Sequence, residues 1–514
     1  MSDELCLGVD LGTSGLKVAL VTLEGDVLGY ETHQLHTILD AHGAAEQDAN
    51  EWWRLIGASS RRLIEHHRVT RGRVRAVAVT GQYASTVPVD SRGTPTGPCL
   101  TWLDTRGAPY SRRAVGGPLL GYDPRAVARF VRRSGGAPAT SGADPIGQML
   151  FLLHERPAIT AATRWFMEPV DYLTMRFTAT ASATHASRLA SWLTDNRHLS
   201  RLAYDERLVA SVDLDPARLP PLRRLGDVVG TVSPEAALAC TLTTDALVVT
   251  GVPDLHAAAL GTGATHDYET HLALSTTSWI SCPVPAKKTD VIHAIAAVPG
   301  LSNDSYLIAN NQETGARALE WFRTTAGGPT PASFDGLTDL AARSPSGAHG
   351  VRFTPWLAGE RSPVDDKGLR AGFAHLSASS TSADLVRAVL EGVAANSAWL
   401  FSDVEHFAGV RLDDVRLLGG GAQSDLWCQI YADTLDRRVR RVHAPLLAQV
   451  RGVTRLAQAA LIGGDVREIA RRVSDDLFEP NPEEAERSRA RVAALRASAR
   501  HARRRRERAR RGVS

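Results

Sequence analysis

Asp254 is the residue whose type and position point most directly to chemistry. It follows an apolar strand and opens an alanine-rich helical segment, in the sequence GVPDLHAAALGTG of residues 251–263. A carboxylate fixed at such a junction can accept the proton of a substrate hydroxyl while the hydroxyl oxygen attacks the γ-phosphorus of ATP. The simpler interpretation is a helix cap, and both can hold because a cap also fixes the direction of the carboxylate. We predict that Asp254 is the general base of a phosphoryl transfer.

A glycine-rich segment near the start of the chain, DLGTSGLKV at residues 10–18, predicts a phosphate-binding turn. The apolar run at 5–9 is typical of a strand, and the glycines at 12 and 15 allow a reversal into a second strand at 16–22, with a third from Val27. Backbone amides and hydroxyls at the tip of such a hairpin converge on phosphate oxygens.

We expect the tip residues Gly12, Thr13 and Ser14 to bind ATP. Asp10 comes at the end of the first strand, where its carboxylate can hold a magnesium ion directly or through water. This part of the chain therefore predicts the phosphate and metal side of a nucleotide site.

A second glycine-rich segment, GGGAQS at 419–424, lies between an apolar strand at 415–418 and a helical segment at 425–435. Glycines at such a junction leave room for a base or a ribose against bare backbone. We therefore expect Gly420, Gly421 and Ala422 to contact the nucleoside part of ATP.

An internal similarity indicates a duplicated architecture. The segments VDLGTS at 9–14 and LALSTTS at 272–278 both place small hydroxyl residues after an apolar strand. Two such tips that face each other across a cleft can clamp a triphosphate.

A cluster of polar and aromatic residues predicts a site for a polyhydroxyl ligand. The sequence TGQ ends at Gln82, and TWLDTR at 101–106 contains Trp102, Asp104 and Arg106. An indole can cover the apolar face of a sugar while charged groups bind paired hydroxyls. The alternative is a loop with a surface ion pair between Asp104 and Arg106.

The segment PWLAGERSP at 355–363 runs from a strand into a turn that contains Glu360 and Arg361. These two can be ordinary surface charges, but the flanking prolines and glycine favour a fixed loop.

The elements that must position these groups alternate between strands, such as 74–80 and 86–90, and amphipathic helical segments, such as 52–66 and 382–407. This alternation is typical of an α/β fold. A chain of 514 residues predicts two domains, which we place at 1–245 and 246–480, with a basic tail at 481–514.

Charge is concentrated at the end of the chain. Residues 487–514 hold twelve arginines and one acid, Glu507, so the rest of the chain is acidic although the formal net charge is +3. An acidic body argues against a nucleic-acid enzyme. The tail arginines 503–506 lack the apolar spacing of a core helix, so we expect few partners for them and unchanged kinetic constants after deletion of residues 487–514.

Several classes of protein are disfavoured by composition. The first residues carry acid where a signal peptide needs base, and no apolar run is long enough to span a membrane. The five cysteines are scattered and lack metal-ligand spacing. We expect reduced thiols in a cytoplasmic protein.

Together these segments resemble the FGGY family of carbohydrate kinases, in particular its xylulokinase-like branch, from about residue 5 to 465. The segment 10–18, including Lys17, is similar to the first phosphate motif of the family, and Asp254 matches its catalytic base. The sugar-site motif fits Trp102, Asp104 and Arg106. Further matches are EQD at 46–48, DYL at 171–173, GERSP at 359–363 and GGGAQS at 419–424.

The resemblance implies a two-domain actin-like, ribonuclease-H-like ATPase fold that uses ATP with Mg²⁺. It implies that Lys17, Thr276, Gly315, Gly421 and Asp425 lie at the nucleotide site. The first domain would bind mainly the sugar, and closure between the domains would accompany catalysis.

The chain departs from the family pattern in three places. Xylulokinases usually follow Gly-Gln with Met-His-Gly, where this chain has Tyr83, Ala84 and Ser85. We therefore expect Gln82 and Tyr83 to contact a preferred acceptor other than D-xylulose. Ser275 replaces a glycine of the second phosphate motif, and Ser182 replaces an aspartate.

The sequence thus predicts a cytoplasmic enzyme that moves the γ-phosphoryl group of ATP to a hydroxyl of a ketose, with a pentulose as the first choice. A kinase of another polyol or of a hexulose is the alternative within the enzymes. A non-catalytic actin-like regulatory protein with a nucleic-acid-binding tail is the alternative from another class. We expect neither a membrane nor a nucleic acid as a partner, and the sequence leaves open whether the protein forms a homodimer.

Overall fold

The computed structural model describes residues 4–119, 121–325, 332–471 and 475–511. The strands are β1 Leu5–Leu11, β2 Gly15–Thr22, β3 Val27–Gln34, β4 Ile38–Leu39, β5 Ala45–Gln47, β6 Val74–Gly81, β7 Val87–Val89, β8 Cys99–Leu100, β9 Gly116–Leu119, β10 Trp165–Met167, β11 Ala183–Thr184, β12 Leu222–Arg223, β13 Val228–Thr231, β14 Leu247–Val249, β15 Val252–Pro253, β16 Thr270–Leu274, β17 Ser278–Ser281, β18 Pro283–Val284, β19 Thr289–Asp290, β20 Ile295–Pro299, β21 Tyr306–Ala309, β22 Arg352–Thr354, β23 Gly372–Ala374, β24 Asp414–Leu418, β25 Arg438–Val442 and β26 Asp475–Phe478.

The α-helices are α1 Ala49–His66, α2 Ala108–Val115, α3 Pro124–Ser134, α4 Pro145–Glu155, α5 Pro157–Ala162, α6 Pro169–Thr178, α7 Glu206–Ala210, α8 Pro234–Cys240, α9 Asp254–Thr262, α10 Arg317–Thr325, α11 Phe334–Ala342, α12 Ser382–Ala408, α13 Asp425–Leu435, α14 Ala448–Ile462, α15 Val466–Ala470 and α16 Pro482–Arg511. In the described parts of the chain, no helix combines the length and the apolar character needed to cross a membrane.

Two mixed sheets with related topology form the framework. The first has the strand order β13-β14-β6-β1-β2-β3, and the second has the order β17-β16-β24-β25-β26. Each contains an antiparallel hairpin, β1–β2 or β16–β17, whose first strand pairs in parallel with a later strand, β6 or β24. The α/β fold is thus confirmed, and the internal similarity between 9–14 and 272–278 reflects two equivalent hairpins.

The first sheet extends beyond the expected domain boundary. Strand β14, which we expected to open the second domain, pairs in parallel with β6, and β15 pairs with β6 further along the same edge. The division at residues 245/246 stays a prediction, and the pairing shows that the second sheet starts only at β16, after α9.

The two sheets are joined by a close crossing of α9 and α14. A Cβ on Gly261 would lie 1.8 Å from the carbonyl oxygen of Ala448, and one on Gly452 would lie 2.0 Å from that of Ala257. Only glycine allows the helix backbones to approach this closely. Although α14 lies between β25 and β26 of the second sheet in sequence, it packs against β1 and β6 of the first.

The C-terminal segment is an ordered part of the fold. Residues 482–511 form α16, and Leu495 and Ala499 are buried in a cluster with Trp356 and Leu369. Our expectation of a tail with few partners is therefore wrong for the described part of this segment. The numerous arginines conceal a narrow apolar stripe, which is analysed below with its contacts.

Candidate functional site

Asp254 lies where three parallel strand ends meet. Strands β1, β6 and β15 end at Leu11, Gly81 and Pro253, and the register pairs Leu11 with Gly81 and Gly81 with Pro253. Parallel strands present their carboxyl ends at one sheet edge, which is where ligands bind in open α/β sheets. Helix α9 begins at Asp254, with Pro253 in the N-cap position and no side-chain cap. Asp254 is therefore the first residue of the helix and not its N-cap residue.

Asp254 lines a cavity of about 140 Å³. The other residues of its wall come from both halves of the chain, mostly from turns and loops, and include Thr13, Gln82, Tyr83, Ala84, Trp102, Thr277, Trp279, Asn310, Asn311 and Arg361. The cavity thus joins the predicted sugar cluster, the first hairpin tip and the second hairpin tip at one carboxylate.

The electrostatic surroundings suit a proton acceptor near neutral pH. Burial, and to a lesser degree the carboxylate of Asp10, raise the pKa of Asp254 to about 7 against the opposing effects of the Leu255 amide and Lys17. Asp10 is 3% exposed and accepts from Lys17 Nζ at 3.0 Å. A general base works best when its pKa is close to the operating pH.

The first hairpin tip is tied to the sugar-side residues. Trp102 Nε1 donates to Thr13 Oγ1 at 2.9 Å, and Thr13 Oγ1 donates to Gln82 Oε1 at 3.1 Å. Gln47 completes the network, because its Nε2 donates to the carbonyl of Thr13 at 2.7 Å and its Oε1 accepts from Gln82 Nε2 at 3.0 Å. Ser14, by contrast, is exposed at the tip. Gln47 was not predicted as a site residue.

The backbone of the loop formed by Tyr83, Ala84 and Ser85 is held by hydrogen bonds to buried side chains. Ala84 has a φ of 59°, in the left-handed region that L-residues other than Asn, Asp and His rarely adopt. Glu168 Oε2 accepts from the amide of Ser85 at 3.1 Å, and Gln148 Nε2 donates to the carbonyl of Ala84 at 3.0 Å. Glu168 and Gln148 are both fully buried and fix the wall of the cavity.

Glu168 belongs to a buried charged group with Asp171 and Arg188. Burial raises the pKa of Glu168 to about 8 and that of Asp171 to about 7, while Arg188 opposes both shifts. Asp171 Oδ2 accepts from Ser187 Oγ at 3.0 Å. The DYL motif at 171–173 therefore contributes Asp171 to the charged group around Glu168, which holds the amide of Ser85. Glu168 carried no motif signal, since only the fold brings it under residue 85.

Asp104 and Arg106 lie outside the cavity wall. Asp104 is fully buried, and its Oδ2 accepts from the amide of Ala45 at 3.0 Å and from Arg106 Nη2 at 2.6 Å. Arg106 also donates to Glu46 Oε1 at 2.6 Å. These groups bind one another in this arrangement and shape the loop below Trp102, and their contact with a sugar stays a prediction. The ion pair of the alternative interpretation is present, but Asp104 is buried and Arg106 is half-buried, so it does not lie on the surface.

The predicted nucleotide residues of the second half converge on the β16–β17 turn. Thr276 is exposed at this turn, and its carbonyl accepts from the amide of Gly315 at 3.0 Å. A Cβ on Gly421 would lie 2.5 Å from Leu274 Cγ, so the turn 420–423 packs directly against the end of β16. Gly420 and Ala422 lie in the same turn. Asp425 begins α13 and forms an exposed ion pair with Arg441.

The loop around Glu360 is fixed, as the prolines predicted. Glu360 is fully buried, and its Oε1 accepts from the amides of Glu313 and Arg361, each at 2.9 Å. Asn396 Nδ2 donates to Glu360 Oε2 at 2.6 Å. Arg361 thereby reaches the cavity that contains Asp254, a placement that sequence reasoning missed. Asn310, Asn311 and Trp279 were missed as well, because no local pattern distinguishes them.

A metal ion at this site would be coordinated by atoms of a bound nucleotide as well as by protein side chains. Among the described residues, no group of three or more His, Cys, Asp or Glu side chains is arranged to hold an ion. Mg²⁺ is commonly bound by one or two carboxylates together with phosphate oxygens and water. Asp254 supplies a carboxylate at the cavity, and Asp10 supplies a second one close enough to raise the pKa of Asp254. These residues therefore fit a magnesium–nucleotide complex.

The chain is similar to known proteins over most of its length. Residues 5–261 match the sequence profile of the FGGY family of carbohydrate kinases, N-terminal domain, and residues 256–461 match its C-terminal domain. The chain is similar to the xylulose kinase of Streptomyces rubiginosus, at 30% identity over 482 residues that cover 91% of this chain and 90% of that protein. It is also similar to the gluconokinase of Bacillus subtilis, at 25% identity over 443 residues that cover 84% of this chain and 83% of that protein.

A solved structure shares the fold over almost the whole length. The gluconate kinase from Lactobacillus acidophilus superposes with a TM-score of 0.84 at 20% identity, covering 97% of this chain and 98% of that chain. At this identity the likeness establishes the architecture, and the chemistry has to be argued from the residues.

Proposed function

This chain belongs to the FGGY family of carbohydrate kinases and is an ATP-dependent sugar kinase, and from that premise we propose that Asp254 activates a hydroxyl of a small ketose for attack on ATP. The observation that carries the proposal is the position of Asp254. It lies at the shared end of three strands, in a cavity lined by both hairpin tips, with a pKa raised to about 7.

In the proposed reaction, the sugar hydroxyl oxygen forms a bond to the γ-phosphorus and the bond from that phosphorus to the bridging oxygen of ADP breaks. The hydroxyl proton passes to the carboxylate of Asp254, so the products are a sugar phosphate and ADP. Gln82, Tyr83 and Trp102 orient the acceptor, and the buried Glu168 and Gln148 hold the backbone of their loop.

The nucleotide would lie between the two hairpin tips. We assign phosphate contacts to Gly12, Thr13 and Ser14 of the first tip and to Thr276 of the second. Gly315, Gly420, Gly421, Ala422 and Asp425 surround the second tip and are assigned to the nucleoside side. Packing of the turn 420–423 on the end of β16, where Gly421 has no side chain to interfere, supports this grouping.

Asp10 is the residue that we assign to the metal ion. Its buried carboxylate is paired with Lys17, and we assign the ammonium group of Lys17 to the phosphates of ATP. A bound Mg²⁺ neutralises charge on the β- and γ-phosphates.

We assign a pentulose as the acceptor class, which the xylulose kinase relatives support. A second candidate is an acceptor with a carboxylate, such as an aldonate. The presence of Arg361 in the cavity favours it, because a guanidinium binds a carboxylate in a bidentate manner, and a gluconokinase is among the relatives.

An ADP-release screen with ATP and magnesium tests the proposal. Purified protein is offered pentuloses, hexuloses, gluconate, glycerol and erythritol at equal concentration, with an Asp254→Asn variant as the matched control. We expect release above the sugar-free background with at least one ketose and none with the variant. ADP release with gluconate alone would establish the second candidate. If none of the acceptors causes ADP release above the background, both candidates are contradicted.

A further inference from the structure

Helix α16 carries a stripe of inward-facing positions at alternating spacings of three and four residues. The positions are Ala485, Ser488, Val492, Leu495, Ala499, Ala502 and Arg506. The first six are buried or half-buried, four of them in a cluster with Trp356, Leu369 and Trp399. This is the spacing of a helix that packs along one seam, here against α12 and α13. The stripe lies beyond residues 256–461, which match the family profile.

The stripe ends in a charged contact. Arg506 occupies the next inward position after Ala502, and its guanidinium forms an ion pair with Asp366 and donates to the carbonyl of Gly368 at 2.8 Å. A Cβ on Gly368 would lie 2.8 Å from Arg506 Nε, so a glycine makes room for the guanidinium. Arg504 and Arg505 face solvent, and no partner is recorded for either among the described residues.

The loop that Arg506 binds is the loop that carries Arg361 to the cavity. The amide of Asp366 donates to the carbonyl of Glu360 at 2.8 Å, and the amide of Glu360 donates back at 3.1 Å. Lys367, next to Asp366, binds Glu313 Oε1 at 2.5 Å, and Arg361 Nε lies 3.6 Å from the same oxygen. From Arg506 to Arg361 the contacts are therefore continuous.

We propose that α16 is a positioning element of the active centre, in which Arg506 clamps the loop 359–368 and thereby holds Arg361 in the acceptor cavity. The inference rests on the proposed function, because it places Arg361 on the sugar side of the proposed active site. Arg506 touches no ligand and acts through Asp366 and the Glu360 backbone. The other arginines of residues 487–514 are not needed for this role.

Loss of the ion pair between Arg506 and Asp366 should disturb the loop 359–368 more than the rest of the fold. The apolar seam keeps α16 in place in an Arg506→Gln variant, whereas the loop loses its charged anchor. We expect the KM for the sugar to rise at least fivefold in Arg506→Gln, with the KM for ATP within twofold of wild type. Arg505→Gln removes the same charge from an exposed position of the same helix and is the matched control, with both KM values unchanged.

A charge exchange makes the test specific. Arg506→Asp should behave like Arg506→Gln or worse, and combining it with Asp366→Arg should restore at least half of the wild-type kcat/KM. Equal sugar KM values in wild type and Arg506→Gln would overturn the inference. A rise in the KM for ATP as large as that for the sugar would also overturn it, because it would indicate a general loss of structure.

A readout without substrate separates this inference from the proposed function. Limited digestion with trypsin reports exposure of the bonds after Arg361 and Lys367. We expect cleavage there to be at least fivefold faster in Arg506→Gln than in wild type and Arg505→Gln, with closely similar melting temperatures. If no sugar is phosphorylated but this cleavage accelerates, the proposed function fails while the clamp stands. Unchanged cleavage rules out the clamp.

Discussion

The indole Nε1 of Trp102 donates a hydrogen bond to Thr13 Oγ1 over 2.9 Å, which joins the sugar-side loop to the tip of the first phosphate hairpin. The same hydroxyl of Thr13 donates a hydrogen bond to Gln82. Since Thr13 is assigned to ATP and both Trp102 and Gln82 to the sugar, this hydroxyl connects the two substrate subsites. Occupation of one subsite can therefore influence the geometry of the other.

Thr13→Val should weaken sugar use, because the indole N–H and the Gln82 carbonyl lose a common partner in a half-buried place. An unmet buried polar group costs about 1 to 3 kcal/mol, so we expect kcat/KM for the sugar to fall between about fivefold and 150-fold. Thr13→Ser retains the hydroxyl and serves as the control. Steady-state kinetics of Thr13→Val, Trp102→Phe and the double variant measure the coupling, and strictly additive losses would contradict a shared contact.

Asp254→Asn should nearly abolish turnover while ATP binding stays within a few-fold of wild type. The amide has the same size but cannot accept the hydroxyl proton, and loss of a general base typically costs on the order of 10² to 10⁴ in rate. Single-turnover kinetics, nucleotide titration and the melting temperature are measured together. A folded variant with half of the wild-type activity would show that another group takes the proton.

The pH profile should report the ionisation of Asp254. Only the carboxylate can accept a proton, and burial raises its pKa to about 7, so kcat/KM should fall about tenfold per unit below pH 7 and level off above it. Asp10→Asn removes a negative charge that raises this pKa, so the falling limb should move to lower pH. Lys17→Met removes a positive charge that lowers it, and the limb should move to higher pH. Shifts in the same direction for both variants would contradict the assignment.

Ala84→His should improve D-xylulose as an acceptor at least several-fold, and D-xylulose should rank below another acceptor in the wild type. The left-handed backbone at this position, with a φ of 59°, accommodates His more readily than most residues. Ala84→Gly relieves the backbone without adding a hydrogen-bonding group and is the control. The comparison uses kcat/KM for D-xylulose, L-xylulose, D-ribulose, L-ribulose, fructose and erythritol. D-Xylulose ranking first in the wild type would show that other residues replace the missing histidine.

Local signals in the sequence were sufficient for much of the framework. The hairpin from β1 to β2 occurs where Gly12 and Gly15 predict it, and α12 covers the segment predicted at 382–407. These elements are set by periodicity and turn residues, which act within a few positions along the chain. The placement of Asp254 at a strand end follows from the same kind of pattern.

Contacts between distant segments were not predictable from the sequence. Glu168 binds the amide of Ser85, and Arg361 reaches the cavity of Asp254, only because the fold brings their segments together. The ion pair of Asp104 and Arg106 was one of two interpretations of the sequence, but the burial of Asp104 was not predictable from its neighbours along the chain. The stripe of α16 was overlooked because small residues such as Ala485 and Ala499 give little hydrophobic signal among arginines.

The crossing of α9 and α14 has a consequence for how the protein unfolds. Helix α14 is made by the C-terminal half but covers β1 and β6 of the N-terminal half, and Gly261 and Gly452 let α9 and α14 interlock without a gap. Neither half can melt without exposing apolar surface of the other. Although its framework consists of two large sheets, the chain should show a single cooperative transition on heating, and a fragment ending before α14 would lack part of the covering of its own sheet.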